Sequence, residues 1–202
     1  MQLNPSLANL LTELERFGAE NDNSVHERPR RMLNITRDTG EFLAVTVLAT
    51  RARDVLEIGT SNGYSTLWLA QAAQMQQGHV TTVEYSAYKL SLAAHNFARS
   101  GLAEVITQLQ GDAGQVLDAA KTASYDLIFL DSERSEYVDW WPNIKRVLRP
   151  GGVLVADNAV SHAAEMAAFM AQMNKDAEFA TCLLPVGNGE FVATRLRGWG
   201  AA

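Results

Sequence analysis

Acids punctuate the ends of short apolar runs in this sequence: Glu57 within RDVLEI, Glu84 after VTTV, Asp131 after DLIFL, and Asp157 with Asn158 after GVLVA. The runs that end in Asp131 and in Asp157-Asn158 should be neighbours in a sheet. Two carboxylates and an amide oxygen would then converge at one edge. Hard oxygen donors of this kind suit Mg²⁺ or a similar divalent cation, with water and substrate completing the shell. Without a metal, the same acids would be helix N-caps in a mutually repulsive arrangement.

Glu57 belongs to a second pattern, E-x-G-x-x-x-G, whose glycines are Gly59 and Gly63. Glycines after a strand let the backbone approach a ligand and bend sharply into a helix. The dinucleotide turn is G-x-G-x-x-G and receives a pyrophosphate at the helix N-terminus. An acid two residues before the first glycine would repel a pyrophosphate and suits a cofactor with a cationic amino-acid end. A purely structural tight turn stays open. Glu84 stands 21 residues beyond Gly63, where an acid accepts hydrogen bonds from ribose hydroxyls. Its alternative is a first-turn helix acid beside Ser86. Asp112, after Gly111, could meet an adenine edge or cap a helix.

These residues need a scaffold, and the chain offers one. Apolar runs at 53–58, 80–84, 105–109, 126–130 and 152–156 read as strands. Segments of helical length separate or follow them: 63–76, 87–100, 113–121, 136–148 and 160–174. Such alternation implies βαβ units and a doubly wound, mostly parallel α/β sheet. Residues 179–186 and 190–197 flank Gly187-Asn188-Gly189, which predicts an antiparallel C-terminal hairpin and a seven-stranded sheet. Ahead of the sheet, Leu7, Leu10, Leu11, Leu14 and Phe17 recur at helical spacing, with Ser6 as candidate N-cap. Residues 21–34 read as a loop or lid, and 36–50 as a second helix. One domain is expected over 1–202, with residues 1–50 as a helical cover and 51–202 as the core.

Composition narrows the classes. The 202 residues are 47% hydrophobic and 20% charged, as in an ordinary globular protein. Seventeen basic against 23 acidic residues give −6, which argues against a non-specific nucleic-acid binder. It leaves room for one structured RNA on a local patch such as Arg28, Arg30 and Arg31. Cys182 is the single cysteine, so no internal disulfide or zinc cluster is expected. Its expected role is core packing in a strand. The first twenty residues lack the basic-then-apolar pattern of a secretory signal, and no apolar run approaches the roughly 20 residues of a membrane span. The expectation is a cytoplasmic protein without a membrane partner.

With these motifs in order, the chain resembles the class I S-adenosylmethionine-dependent methyltransferases, in particular the O-methyltransferases that include catechol and caffeoyl-CoA O-methyltransferases. The resemblance runs from about Leu33 to Leu196 and rests on LEIGTSNGYS (56–65), VTTVE (80–84), FLDSERSEY (129–137), LRPGGVLVADN (148–158) and PVGNGEF (185–191). It implies the Rossmann-like methyltransferase fold. It also implies that Glu57, Gly59 and Gly63 line the methionine end of the cofactor, with Ser65 near its carboxylate. Glu84 would bind the ribose, Asp112 and Ala113 would flank the adenine, and Asp131 would touch cofactor and metal alike. Gly40 and Glu41 match a helix start that closes over the cofactor. Asp131, Asp157 and Asn158 match the metal ligands, and a homodimer is the usual assembly.

The chain departs from the family pattern at one chemical position. The expected D-x-x-K is D-S-E-R here, so Arg134 replaces a lysine general base. Arginine does not release its proton usefully at neutral pH. Either a metal alone lowers the acceptor's pKa, or His162 or Glu133 takes the proton, leaving Arg134 to steer an anionic substrate or neutralise charge. The expected activity is methyl transfer from S-adenosylmethionine to a hydroxyl of a small, catechol-like acceptor, with Asp131 and Arg134 at the reaction centre. The alternatives are a hydroxyuridine of tRNA as acceptor, a non-catalytic cofactor-binding protein, or an NAD-dependent dehydrogenase. Trp140 and Trp141 should split between exposed and sheet-packed positions, and Met166, Met170 and Met173 should lie in the core.

Overall fold

The structure, a computed structural model, describes residues 4–198. Helix α1 (Pro5–Ser24) is capped by Asn4, whose Oδ1 accepts the Ser6 N–H at 2.9 Å. Pro5 takes the first helical position, where a missing N–H costs nothing. The cap is therefore Asn4 rather than Ser6. α1 also extends into the expected loop, and Arg28–Arg30 wind into a 3₁₀ turn. Helix α2 (Arg37–Thr50) starts at Thr36, whose hydroxyl accepts the Thr39 N–H.

Strands and helices then alternate: β1 (Asp54–Ile58), α3 (Tyr64–Met75), β2 (His79–Glu84), α4 (Ala87–Ser100), β3 (Ile106–Gln110), α5 (Ala113–Ala119), β4 (Tyr125–Leu130), α6 (Tyr137–Val147), β5 (Leu148–Ala156) and α7 (Ala163–Asn174). The hairpin strands β6 (Phe179–Leu184) and β7 (Glu190–Arg195) follow. The sheet order is β3-β2-β1-β4-β5-β7-β6, with β1 to β5 parallel and β7 antiparallel to both neighbours. β5 begins at Leu148, ahead of the expected 152, because Leu148 pairs with Tyr125 before the register shifts to Val153 opposite Leu127.

Successive strand residues face opposite sides of a sheet. Val55, Leu127, Phe129, Val153 and Val155 belong to the core shared with α1 to α4. Leu56, Ile58, Ile128, Leu130, Leu154 and Ala156 belong to the core under α5 to α7. Each fully buried Leu, Ile or Phe contributes about 1.5–3 kcal/mol, so both faces are firmly covered. Trp141 is buried while Trp140 is half-buried, and Met166 and Met173 are fully buried with Met170 packed beside them. Cys182 departs from expectation: it lies exposed on β6, the edge strand, where no further strand shelters it. Among the described residues, no helix is long and apolar enough to cross a membrane.

Chain order reverses between β1 and β4, which places a ligand crevice at their carboxyl ends. Ile58 lies opposite Leu130, and Leu130 opposite Ala156. The next residue on each strand is Gly59, Asp131 and Asp157, so the register alone sets these three side by side.

Candidate functional site

A cavity of about 950 Å³ opens at the carboxyl ends of β1 to β5. That is the upper range of small-molecule sites, with room for a cofactor and a second ligand. Its floor is built by ladder bonds that continue past the strands. Asp131 N–H donates to the Ile58 carbonyl at 3.0 Å, and Asp157 N–H to the Leu130 carbonyl at 3.0 Å. Gly59 has φ +110°, and a Cβ there would stand 2.0 Å from the Asp131 carbonyl oxygen. Only glycine allows the two strand ends to come this close.

One wall carries Gly59, Glu84, Asp112 and Ala113. Glu84 accepts the Ser61 N–H at 2.9 Å and the Ser86 N–H at 2.8 Å. Its carboxylate is thus held by backbone and keeps further lone pairs for a ligand. Asp112 both lines the cavity and caps α5, accepting the Gln115 N–H at 2.9 Å.

Glu57, Gly63 and Ser65 are not on the cavity wall. Glu57 shares strand parity with Val55, so its carboxyl points under the first turn of α3 and is fully buried. It accepts from Ser65 Oγ at 2.6 Å, Thr82 Oγ1 at 2.6 Å and the Thr66 hydroxyl. Burial pushes it up to about 7 against the downward pull of those three hydroxyls. Gly63 is instead required because a Cβ would stand 2.4 Å from the Phe97 ring. Gly40 is likewise packed against Trp68, and Glu41 points to solvent.

The acid pair occupies the floor beyond Gly59. Burial raises Asp131 well above the carboxylate range, and the nearby Asp157 charge raises it further, while Arg134 and Lys89 oppose. Asp157 is also raised, chiefly by burial. Asn158, in the left-handed region at φ +67°, turns its Nδ2 to Asp131 Oδ1 at 3.2 Å and Asp157 Oδ2 at 3.0 Å. The β6–β7 turn clamps this segment: Ala159 N–H donates to the Gly189 carbonyl at 2.8 Å, and Ser161 N–H to the Asn188 carbonyl at 3.0 Å.

The donor set fits a divalent ion chemically. Two desolvated carboxylates that repel each other, Asp157 buried and Asp131 half-buried, gain from a cation between them, and the Asn158 amide offers an oxygen once rotated half a turn. Among the described residues, no three His, Cys, Asp or Glu side chains form a metal-binding group. An ion here would therefore rest on Asp131, Asp157 and Asn158, with water and a ligand filling its shell.

Glu190 is an acid that motif reasoning passed over. It enters from β7, is fully buried, accepts Thr39 Oγ1 at 2.9 Å, and lies against Asp157. Burial first and the Asp157 charge second push it up to about 9, so it stays protonated at neutral pH. An inward-facing acid in EFVATR was the available signal. Arg134 is 7% exposed, and its Nε donates to Glu165 Oε2 at 2.8 Å. His162 and Glu133 also line the cavity.

The lid over the cavity is folded by a residue that sequence reasoning also missed. Asp22, at the end of α1, accepts the N–H groups of Met32 at 2.7 Å and Leu33 at 2.8 Å. Ser61 Oγ then donates to the Met32 carbonyl at 2.7 Å, joining the lid to the β1–α3 turn.

Known proteins with this arrangement converge on one family. The chain is 36% identical over 134 residues to a catechol O-methyltransferase of Mycobacterium tuberculosis, covering 66% of this chain and 60% of that protein. It is 30% identical over 141 residues to a catechol O-methyltransferase of Niastella koreensis, covering 68% of this chain and 63% of that one. The chain thus spans less than two thirds of the length of these curated relatives. Among solved structures, an O-methyltransferase from Bacillus cereus in complex with S-adenosylhomocysteine superimposes with TM-score 0.77 at 25% identity, over 93% of this chain and 90% of that one. The O-methyltransferase profile matches residues 5–196, which takes in the lid, the whole sheet and the acid pair. The chain belongs to the O-methyltransferase family.

Proposed function

We propose that this protein transfers the methyl group of S-adenosylmethionine to a hydroxyl of a small, catechol-like acceptor, with a divalent cation, Mg²⁺ by donor type, held by Asp131, Asp157 and Asn158. The observation that carries the reading is one cavity that holds both Glu84 with Gly59 and the paired carboxylates. Family membership and the catechol O-methyltransferase names of two relatives support it.

In this reading Glu84 receives the ribose hydroxyls, Asp112 and Ala113 border the adenine, and Gly59 lets the methionine portion approach the strand ends. Glu57, Gly63 and Ser65 serve that end from behind, by fixing the turn. The sulfonium provides a good leaving group: the new O–C bond forms as the C–S bond breaks, and its electron pair stays on sulfur. In-line positioning is the protein's main task. The cation, when bound, would favour the ionised form of the acceptor hydroxyl. Arg134 keeps its proton throughout, so the hydroxyl proton leaves to water or to His162 or Glu133 on the same wall.

The test is methyl transfer to catechol before and after chelation. Activity should fall at least about tenfold with chelator and return with Mg²⁺, and Asp157→Ala should not be restored by the ion. Full activity in the chelated enzyme would remove the metal from the reading.

A further inference from the structure

The lid sequence RPRR separates its arginines by geometry. A 3₁₀ turn nearly eclipses side chains at i and i+3, and the turn at Arg28–Arg30 sets Arg28 and Arg31 on the cavity side. Arg30 is turned away and lies over the Tyr88 ring, 5.6 Å from its centroid. Among the described residues, neither Arg28 nor Arg31 has a carboxylate within ion-pair distance, and Arg31 Nε is buried without a hydrogen-bond partner. Two guanidinium groups thus border the cavity without a carboxylate partner from the described residues.

The opposite wall adds a third arginine. Arg134 meets Glu165 through Nε, leaving its terminal nitrogens for the cavity. The Glu165 carboxyl is held below its ordinary range by the direct Arg134 bond first, with the charges of Arg134, His162 and Arg28 adding to it. Arg28, Arg31 and Arg134 thus stand on the cavity wall with Lys89 and His162, alongside the carboxylates of Glu133, Glu136 and Glu165. Asp22 is occupied by the Met32 and Leu33 N–H groups, and Glu84 and Asp112 lie on the wall with Gly59.

We propose that the acceptor carries an anionic group, a carboxylate or a phosphate, remote from its reacting hydroxyl, and that Arg28 and Arg31 bind that group while Arg134 reinforces them. Guanidinium forks match both anions in bidentate geometry. The chain's net charge of −6 and the inward aim of Arg28 and Arg31 favour a small molecule over RNA. The inference rests on the O-methyl transfer reading for turnover but not for binding.

The experiment compares 3,4-dihydroxybenzoate, its neutral amide and a phosphate-bearing catechol, as substrates and as ligands of the S-adenosylhomocysteine complex by calorimetry. The wild type should prefer at least one anionic acceptor to the amide by about tenfold or more in kcat/KM and in affinity. Whichever anion wins identifies the source of the charge. In Arg28→Gln/Arg31→Gln the preference should collapse to about twofold, and Arg28→Lys/Arg31→Lys should recover part of it. A preference is a ratio, so loss of folded or cofactor-loaded protein does not move it. Equal handling of amide and anions by the wild type, or an unchanged preference in the glutamine variant, overturns the proposal. So does methylation of tRNA transcripts with no anion preference among small acceptors. If no acceptor turns over while anions still bind in an arginine-dependent way, the transfer reading fails and the anion site stands.

Discussion

At the scale of single residues, Glu57 makes the sharpest claim on solution behaviour. Its carboxyl is raised from 4.5 to about 7 by burial, so the folded protein holds that proton more tightly than the unfolded chain. The resulting stability is complete below the unfolded value and fades as pH rises through about 7. The shift corresponds to about 3 kcal/mol. Glu57→Gln should remove that part of the pH dependence, so urea unfolding at pH 5 and pH 8 should differ by about 2.5 kcal/mol less than in the wild type. Equal pH dependence in the two proteins would show that the buried carboxyl does not titrate. Two glycines separate strain from steric overlap. Gly59→Ala places a Cβ against backbone and should cost about 3 kcal/mol or more, whereas Gly101→Ala, at φ +74° with open space around it, should cost about 1 kcal/mol. Denaturant midpoints would measure both.

At the scale of elements, the lid depends on one carboxylate. Asp22→Ala frees the backbone N–H groups of Met32 and Leu33. The expected result is faster tryptic cleavage after Arg30 and Arg31 and severalfold weaker S-adenosylhomocysteine binding. Global stability should change by about 1 kcal/mol or less, since these groups regain water when the lid opens. An unchanged cleavage rate would mean that other contacts hold the lid. The β6–β7 hairpin has a matching role on the far side: its glycine turn clamps Ala159, Val160 and Ser161, and Gly187 N–H donates to Asp38 at the start of α2. The acid pair is thus framed by two connections that come from opposite ends of the chain.

At the scale of the whole molecule, ligand binding should stabilise the fold by mass action. S-adenosylhomocysteine at 100 times its Kd should add about 2.7 kcal/mol, raising Tm by about 5–11 °C, with no shift from NAD⁺. The reverse pattern would point to a dinucleotide site. Much of this architecture was legible in the chain. The βα alternation showed in apolar runs ended by acids, and Glu84, Asp131 and Asp157 do stand at or just past strand ends, where the ladder gives way to the cavity. The direction of Glu57 was not legible, since parity within a strand fixes its face only once the helices on each side are known. Glu190 was hidden for a related reason: it meets Asp157 because β7 inserts between β5 and β6, and no local spacing encodes that order. Arg28 and Arg31 read as a basic patch in a loop or lid because the 3₁₀ turn that separates them from Arg30, and the Asp22 bonds that anchor the segment after it, leave no periodic signal.

The exposure of Cys182 on the edge strand has a practical outcome. A lone surface thiol lets a fluorophore or spin label be attached at one defined place, well away from the cavity, without engineering the rest of the chain. The same thiol sits on a strand edge whose backbone groups can pair with another copy. Oxidation during storage would weld two chains edge to edge, so a dimer that disappears with reductant reports bottle chemistry rather than native assembly.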